Sequence, residues 1–332
     1  PNPTSRHCPN IELMLYSGVH NMSWMSTMIL WKRRHALPAQ SVRSQMKIVT
    51  DSAADLTSED ISTFDISVAP LYIQFPDGEV RSGDLSHDEF YNRLEAVRPQ
   101  LPTTGQPSPG NFSDLYHPIQ EQGDGILSIH ISSGLSGTVN AARNGAAQEN
   151  EDSIHVIDSL TLSGGLRFQV LAAAQAIAAG WDVPNIRAQL DRVRTATEVV
   201  YTLDTLEYLA RGGRIGRVQA LASSILNIKP IINVSKSDGK YNTVGKSRTM
   251  SRAINDLTEH LASLYGGKEP LWVSVMHGHF EEKARLLAES LQRILPVEKL
   301  EVLRISPVLG VHTGPGIVGA AVVPMRFMKE IH

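Results

Sequence analysis

The stretch Gly125–Gln148, GILSIHISSGLSGTVNAARNGAAQ, reads as a strand, a turn and a helix in direct succession. The apolar run Gly125–Ile131 predicts a strand, and Leu135–Gln148 a helix of small residues. Between them lies Ser132-Ser133-Gly134-Leu135-Ser136-Gly137-Thr138. Free N–H groups where a helix opens favour an anion, and the hydroxyls add donors, so the turn suits a carboxylate or phosphate. The plainer reading is an N-cap in which Ser133 satisfies helix donors and binds nothing. A serine nucleophile is a third reading, but Gly134-Leu135-Ser136-Gly137 lacks the spacing of a nucleophile elbow.

The same alternation extends outward from this unit. Lys47–Thr50 reads as a strand, Ser67–Phe75 as a second apolar segment, and His87–Val97 and Asn111–Glu121 as helices. Ile154–Ile157 is a further strand, followed by an Ala-rich helix over Leu162–Ala179 and another helix over Ile186–Arg194. Strands alternating with helices predict a parallel α/β layer. From Glu198 the pattern restarts. Strands are expected at Val199–Leu203, Ile231–Val234, Tyr241–Val244, Leu271–Met276, Leu300–Ile305 and Ile317–Val323, with helices at Ser251–Leu264 and Glu281–Leu295. Ser237-Asp238-Gly239 signals a hairpin. The expected fold class is α/β, with one α/β domain over residues 46–180 and a second over 181–332.

Composition narrows the function classes. A chain of 332 residues carries a prior of two domains at about 150 residues each. Hydrophobic content of 42% and charged content of 20% are ordinary for a soluble globular protein. A net charge of -3 gives no electrostatic case for nucleic acid or an anionic membrane. The single cysteine, Cys8, excludes an intrachain disulfide framework and a Cys-based zinc cage, which fits a cytoplasmic protein. Residues 1–45 are rich in Met, Trp, Ser and His and have no sustained period, so a disordered leader is expected, with a small helix over Met22–Trp31 as the alternative. Its apolar run Met25–Trp31 is too short to span a bilayer.

Leu206–Pro230, LEYLARGGRIGRVQALASSILNIKP, predicts two short helices broken at Gly212–Gly213 and flanked by Arg211 and Arg214. Such a break lets backbone and guanidinium groups converge on an anion, or it is a plain helix C-cap. His277 closes a predicted strand, with His279 two residues on; no nearby Cys or Asp completes a metal set, so no metal is expected. His312-Thr313-Gly314-Pro315-Gly316 reads as a loop before the last strand. Gly239–Ser247 has five residues between its glycines where a P-loop needs four, and it lies in a hairpin; with no GxGxxG either, nothing marks a nucleotide site.

Five motifs together resemble the DegV family of fatty-acid-binding proteins. They are Ile48-Val49-Thr50-Asp51-Ser52-Ala53-Ala54-Asp55-Leu56, Thr104-Gly105-Gln106-Pro107-Ser108, Ser132–Thr138, the Leu206–Pro230 segment and His312–Gly316, in family order. The resemblance implies two α/β domains with a long-chain fatty acid between them. The carboxylate would be held by Thr104, Ser133 and a histidine among His277, His279 and His312. Gly105 stands where the family usually has serine, so one hydroxyl donor is lost. The tail would lie in an apolar tunnel, for which Leu162, Phe168, Ile225 and Leu226 are candidates. The resemblance further implies presentation of the lipid to a separate fatty acid kinase that forms an acyl-phosphate for phospholipid synthesis, with Arg211, Arg214 and Arg248 at the phosphate or partner contact. On this reading the chain is a carrier, not an enzyme, and has no cofactor. The alternatives are a serine esterase or acyl transferase using Ser133 or Ser136 with His277 or His312, and a carrier of another apolar carboxylate.

Overall fold

The computed structural model describes residues 46–218, 228–267, 269–329 and 331. The expected leader, the second helix of the Leu206–Pro230 segment, Ile225 and Leu226 lie outside the described residues.

Among the described residues the strands, in chain order, are β1 (Met46–Asp51), β2 (Ser67–Ala69), β3 (Tyr72–Phe75), β4 (Gly78–Arg81), β5 (Thr103–Gly105), β6 (Gly125–His130), β7 (Ile154–Asp158), β8 (Glu198–Leu203), β9 (Lys229–Val234), β10 (Tyr241–Ser247), β11 (Leu271–His277), β12 (Val297–Arg304) and β13 (Ile317–Pro324). The helices are α1 (Ser58–Phe64), α2 (His87–Ala96), α3 (Pro109–Glu121), α4 (Thr138–Ala146), α5 (Ser163–Ala178), α6 (Val183–Ala196), α7 (Glu207–Arg211), α8 (Met250–Tyr265), α9 (Glu281–Ile294), α10 (Pro307–Thr313) and α11 (Arg326–Lys329).

The first sheet has the order β2-β1-β6-β7 and is parallel throughout. Both its faces are covered, as its apolar strands require. Strand alternation sends Val49 and Ile126 towards α3 and α4, and Ile48 and Leu127 towards α5. The second sheet has the order β10-β9-β8-β13-β11-β12 and is mixed. Only β11 and β12 run parallel, because β9–β10 is a hairpin and β13 inserts antiparallel between β8 and β11. The apolar run Ser67–Phe75 splits at Pro70. Its first part joins the parallel sheet, and its second part opens a small antiparallel sheet, β4-β3-β5, because proline offers no ladder N–H.

Helix α5 is buried on all sides from Ser163 to Ala174, since it packs in one apolar cluster with both larger sheets. Gly164 permits this approach: a Cβ there would lie 2.7 Å from the Cβ of Ala321. The same helix carries Arg167, only 3% exposed. Its guanidinium donates to both oxygens of Asp60 at 2.7 and 3.2 Å and to Glu301 Oε1. Glu301 also accepts from Trp272 Nε1 at 2.9 Å, so the clamp joins the loop side of α1, helix α5 and strands β11 and β12.

Candidate functional site

Helix α10 organises the site. Pro307 at its first position and Gly314 (φ +72°) just past its end bracket the seven residues PVLGVHT, all of them buried. Its N-terminus is fixed by two distant acceptors. Ser306 N–H donates to Asp55 Oδ1 at 2.7 Å, and Val308 N–H to Ser82 Oγ at 3.1 Å. His312 therefore lies in the last turn of a helix and not in a loop.

His312 is 8% exposed. Its Nε2 is 2.7 Å from the Thr104 hydroxyl, which the small sheet presents on β5. Its Nδ1 is buried and has no hydrogen-bond partner among the described residues. The backbone of Gly212 closes against that nitrogen, so closely that a Cβ at Gly212 would stand 2.2 Å from it. Arg214 follows the Gly212–Gly213 turn, where Gly213 has φ +68°. It is half-buried and donates to Gly212 O at 2.8 Å, and it has no carboxylate partner among the described residues. Burial, reinforced by the Arg214 charge, pushes the His312 pKa down to about 4, so the imidazole is neutral at pH 7.

A stability prediction follows with its sign. The unfolded chain titrates this group near 6.5, so below that pH the unfolded state binds the extra proton. The contribution of neutral His312 is present above pH 6.5 and is lost as pH falls towards 4, by at most about 3 kcal/mol. The urea midpoint of the wild type should therefore fall relative to that of His312→Leu as the pH drops through this range. A constant difference would contradict the depressed pKa.

One helical turn away is an apolar cavity of about 30 Å³. Leu309 and Thr313 of α10 line it, together with Leu162, Met276, Ile305 and Ile317. Tyr201 and Tyr241 complete the wall. Burial pushes the Tyr241 hydroxyl up to about 12, and the neighbouring Tyr201 hydroxyl, then the Arg214 charge, oppose that rise. The guanidinium is thus within electrostatic reach of both His312 and the cavity wall.

Of the residues singled out in the sequence, Thr104, His312 and Arg214 are brought together. Ser133 has an exposed side chain, and its N–H donates to Asp158 Oδ1 at 3.1 Å. Helix α4 starts at Thr138, later than the sequence suggests, and the loop before it spends its donors internally. Gly134 N–H goes to Ser132 Oγ, and those of Leu135 and Ser136 go to Ser132 O. The loop does lie beside the Thr104 strand, since a Cβ on Gly137 would meet Gln106 Oε1. His277 lies on the other face of its sheet. Strand parity turns Met276 to the cavity and His277, with Val273 and Val275, towards α8 and α9. There its Nδ1 accepts from Phe280 N–H at 3.3 Å, and burial with the Arg304 charge lowers its pKa. His279 is exposed beside Arg304 and Asp88. Arg211 donates to Pro99 O and pairs with Glu207, whereas Arg248 is exposed with no ion pair among the described residues. Leu162 lines the cavity, and Phe168 packs instead on Trp272 at 5.1 Å.

Among the described residues neither Ser133 nor Ser136 shares a hydrogen bond with a histidine; Ser136 Oγ meets Thr138 Oγ1 at 2.8 Å. A Ser–His–Asp chain does occur elsewhere. Ser128 Oγ is 2.6 Å from His130 Nε2, and His130 Nδ1 is 3.0 Å from Asp51 Oδ2. All three residues are 0% exposed, so the chain ties β1 to β6 and faces no substrate. Among the described residues no three His, Cys, Asp or Glu side chains could hold a metal ion, and no helix is long and apolar enough to cross a membrane.

An α/β protein with two large sheets and a small third one, a buried Thr–His pair, an arginine without an ion pair among the described residues and an adjoining apolar cavity has recognisable relatives. The DegV family model, which covers an uncharacterised group of proteins, matches residues 45–325. A DegV domain-containing protein of Deinococcus radiodurans is 37% identical over 282 residues, which span 84% of this chain and 98% of that protein. Among solved structures, a DegV family protein from Thermus thermophilus, reported for its fatty acid binding, superposes with a TM-score of 0.79. It is 30% identical, over 84% of this chain and 99% of its own. A stearic-acid-binding protein from Eubacterium ventriosum gives a TM-score of 0.78 at 29% identity, over 84% and 98%. The chain belongs to the DegV family.

Proposed function

We propose that this protein binds a long-chain fatty acid, with its carboxylate at Thr104, His312 and Arg214 and its chain in the adjoining cavity. The observation that carries this reading is the uncompensated polarity of the site. Among the described residues a buried imidazole nitrogen lacks a partner and a half-buried guanidinium lacks a counter-ion, the first on the helix that lines an apolar cavity and the second within electrostatic reach of that cavity's wall. A carboxylate answers both deficits at once, and it could not be buried without such donors. Each buried CH₂ then adds about 0.8 kcal/mol. The fatty acid binding of the Thermus and Eubacterium proteins supports the same reading. The cavity as it stands holds about one water, so chain entry parts its walls, which are α5, α10 and the six-stranded sheet.

The test is the melting temperature of delipidated protein against added palmitate. Stabilisation of about 2.7 kcal/mol at a hundredfold excess over Kd is expected, reduced in Arg214→Ala. No shift in the wild type would reject the reading.

The bound acid is presented to a separate kinase, and the protein itself is a carrier. Exposed Arg248 belongs to that docking face. Arg248→Ala is expected to leave palmitate affinity unchanged and to lower acyl-phosphate formation by the added kinase. Equal turnover would remove Arg248 from the interface.

A further inference from the structure

The cavity wall contains four hydroxyl-bearing side chains, and two are already committed. Ser163 Oγ donates to Asp55 Oδ2 at 2.6 Å, and Thr313 Oγ1 donates to Leu309 O at 3.0 Å. The other two are Tyr201 and Tyr241, 6% and 5% exposed. Their rings meet edge to face at 5.8 Å. The Tyr201 hydroxyl is buried and lies close enough to that of Tyr241 for the two to shift each other's pKa, but no contact between them has hydrogen-bond geometry, and it has no other partner among the described residues.

A phenol in that state is costly to keep, and phenylalanine would fill the same space without the cost. A saturated chain threaded past Tyr201 leaves the hydroxyl unpaired. A chain bearing an oxygen opposite it would supply the partner, and the phenol can both donate and accept. The remaining wall, from Leu162, Met276, Ile305, Leu309 and Ile317, offers such an oxygen nothing. Recognition is therefore local to one point along the chain.

We propose that Tyr201, with Tyr241 beside it, is a recognition point for a hydroxyl group on the acyl chain, so that the cavity selects a monohydroxylated fatty acid over the unsubstituted one. This rests on the fatty-acid reading of the site. The selectivity expected from one buried hydrogen bond is about five- to thirtyfold.

The experiment is calorimetric titration of the delipidated full chain with hexadecanoic acid and with its monohydroxy derivatives, the hydroxyl placed near the head, at mid-chain and near the tail. The wild type should bind at least one derivative in that range more tightly than hexadecanoic acid. Tyr201→Phe should lose the preference, the ratio of its affinities for that derivative and for hexadecanoic acid falling to about one, and Tyr241→Phe should lower the same ratio. Tight hexadecanoic acid binding with no derivative preferred, or a preference that survives in Tyr201→Phe, overturns this proposal and leaves fatty-acid binding intact. Failure of hexadecanoic acid and all derivatives to bind the wild type overturns both.

Discussion

Replacing Arg167 by methionine is expected to destabilise the protein by about 3–5 kcal/mol. The guanidinium is nearly inaccessible, and it answers two carboxylates, Asp60 and Glu301, whose side chains are 14% and 17% exposed. Removing it strands both charges and leaves Trp272 Nε1 donating to an unneutralised Glu301. The methionine recovers the packing of the arginine stem on α5 but none of the charge compensation. The loss should show as a lower urea midpoint at unchanged slope. A triple replacement that also makes Asp60 and Glu301 apolar should recover most of it, because the penalty is the unpaired charge and not the missing attraction. A loss below about 1 kcal/mol in the single variant would show the clamp to be incidental.

Replacing His312 by leucine is expected to weaken fatty-acid binding roughly ten- to a hundredfold, the worth of one hydrogen bond to a charged group. The fold should survive at neutral pH. Among the described residues Nδ1 has no bond to lose, and the Thr104 hydroxyl is half-buried at the sheet edge, where other acceptors can replace the imidazole. Thr104→Val should act in the same direction through the imidazole it orients. The double variant should lose less than the sum, since the two side chains share one hydrogen bond. Equal affinities across wild type and variants would place the carboxylate elsewhere.

The regular elements were legible where the pattern is local. Strand β6 and the long helix α5 follow from apolar runs and from an Ala-rich stretch with no breaker. The hairpin at Asp238-Gly239 follows from turn chemistry. The Ser67–Phe75 segment read as one apolar stretch, because sequence does not say that Pro70 hands the chain from one sheet to another. Helix α10 was hidden because seven residues are too few to show a period, although Pro307 and Gly314 mark its ends.

The site was legible only in part, and for a geometric reason. Thr104 and His312 are 208 residues apart, so family resemblance named them but no local spacing could pair them. His277 is the counterexample. Its position at a strand end drew notice, while strand parity, visible only once Met276 is seen facing the cavity, turns it to the opposite face. Asp55, which fixes the start of α10, and Tyr201, whose hydroxyl lines the cavity beside Tyr241, carry no local signal of chemistry, since each matters through residues far along the chain.

The most direct test of the central claim is mass spectrometry of the purified full chain, first in its native state and then after organic extraction. The account predicts one long-chain fatty acid per chain, released on extraction and retained in lower yield by His312→Leu and Arg214→Ala. A protein that is free of lipid as purified and takes up none from a fatty acid mixture would contradict it.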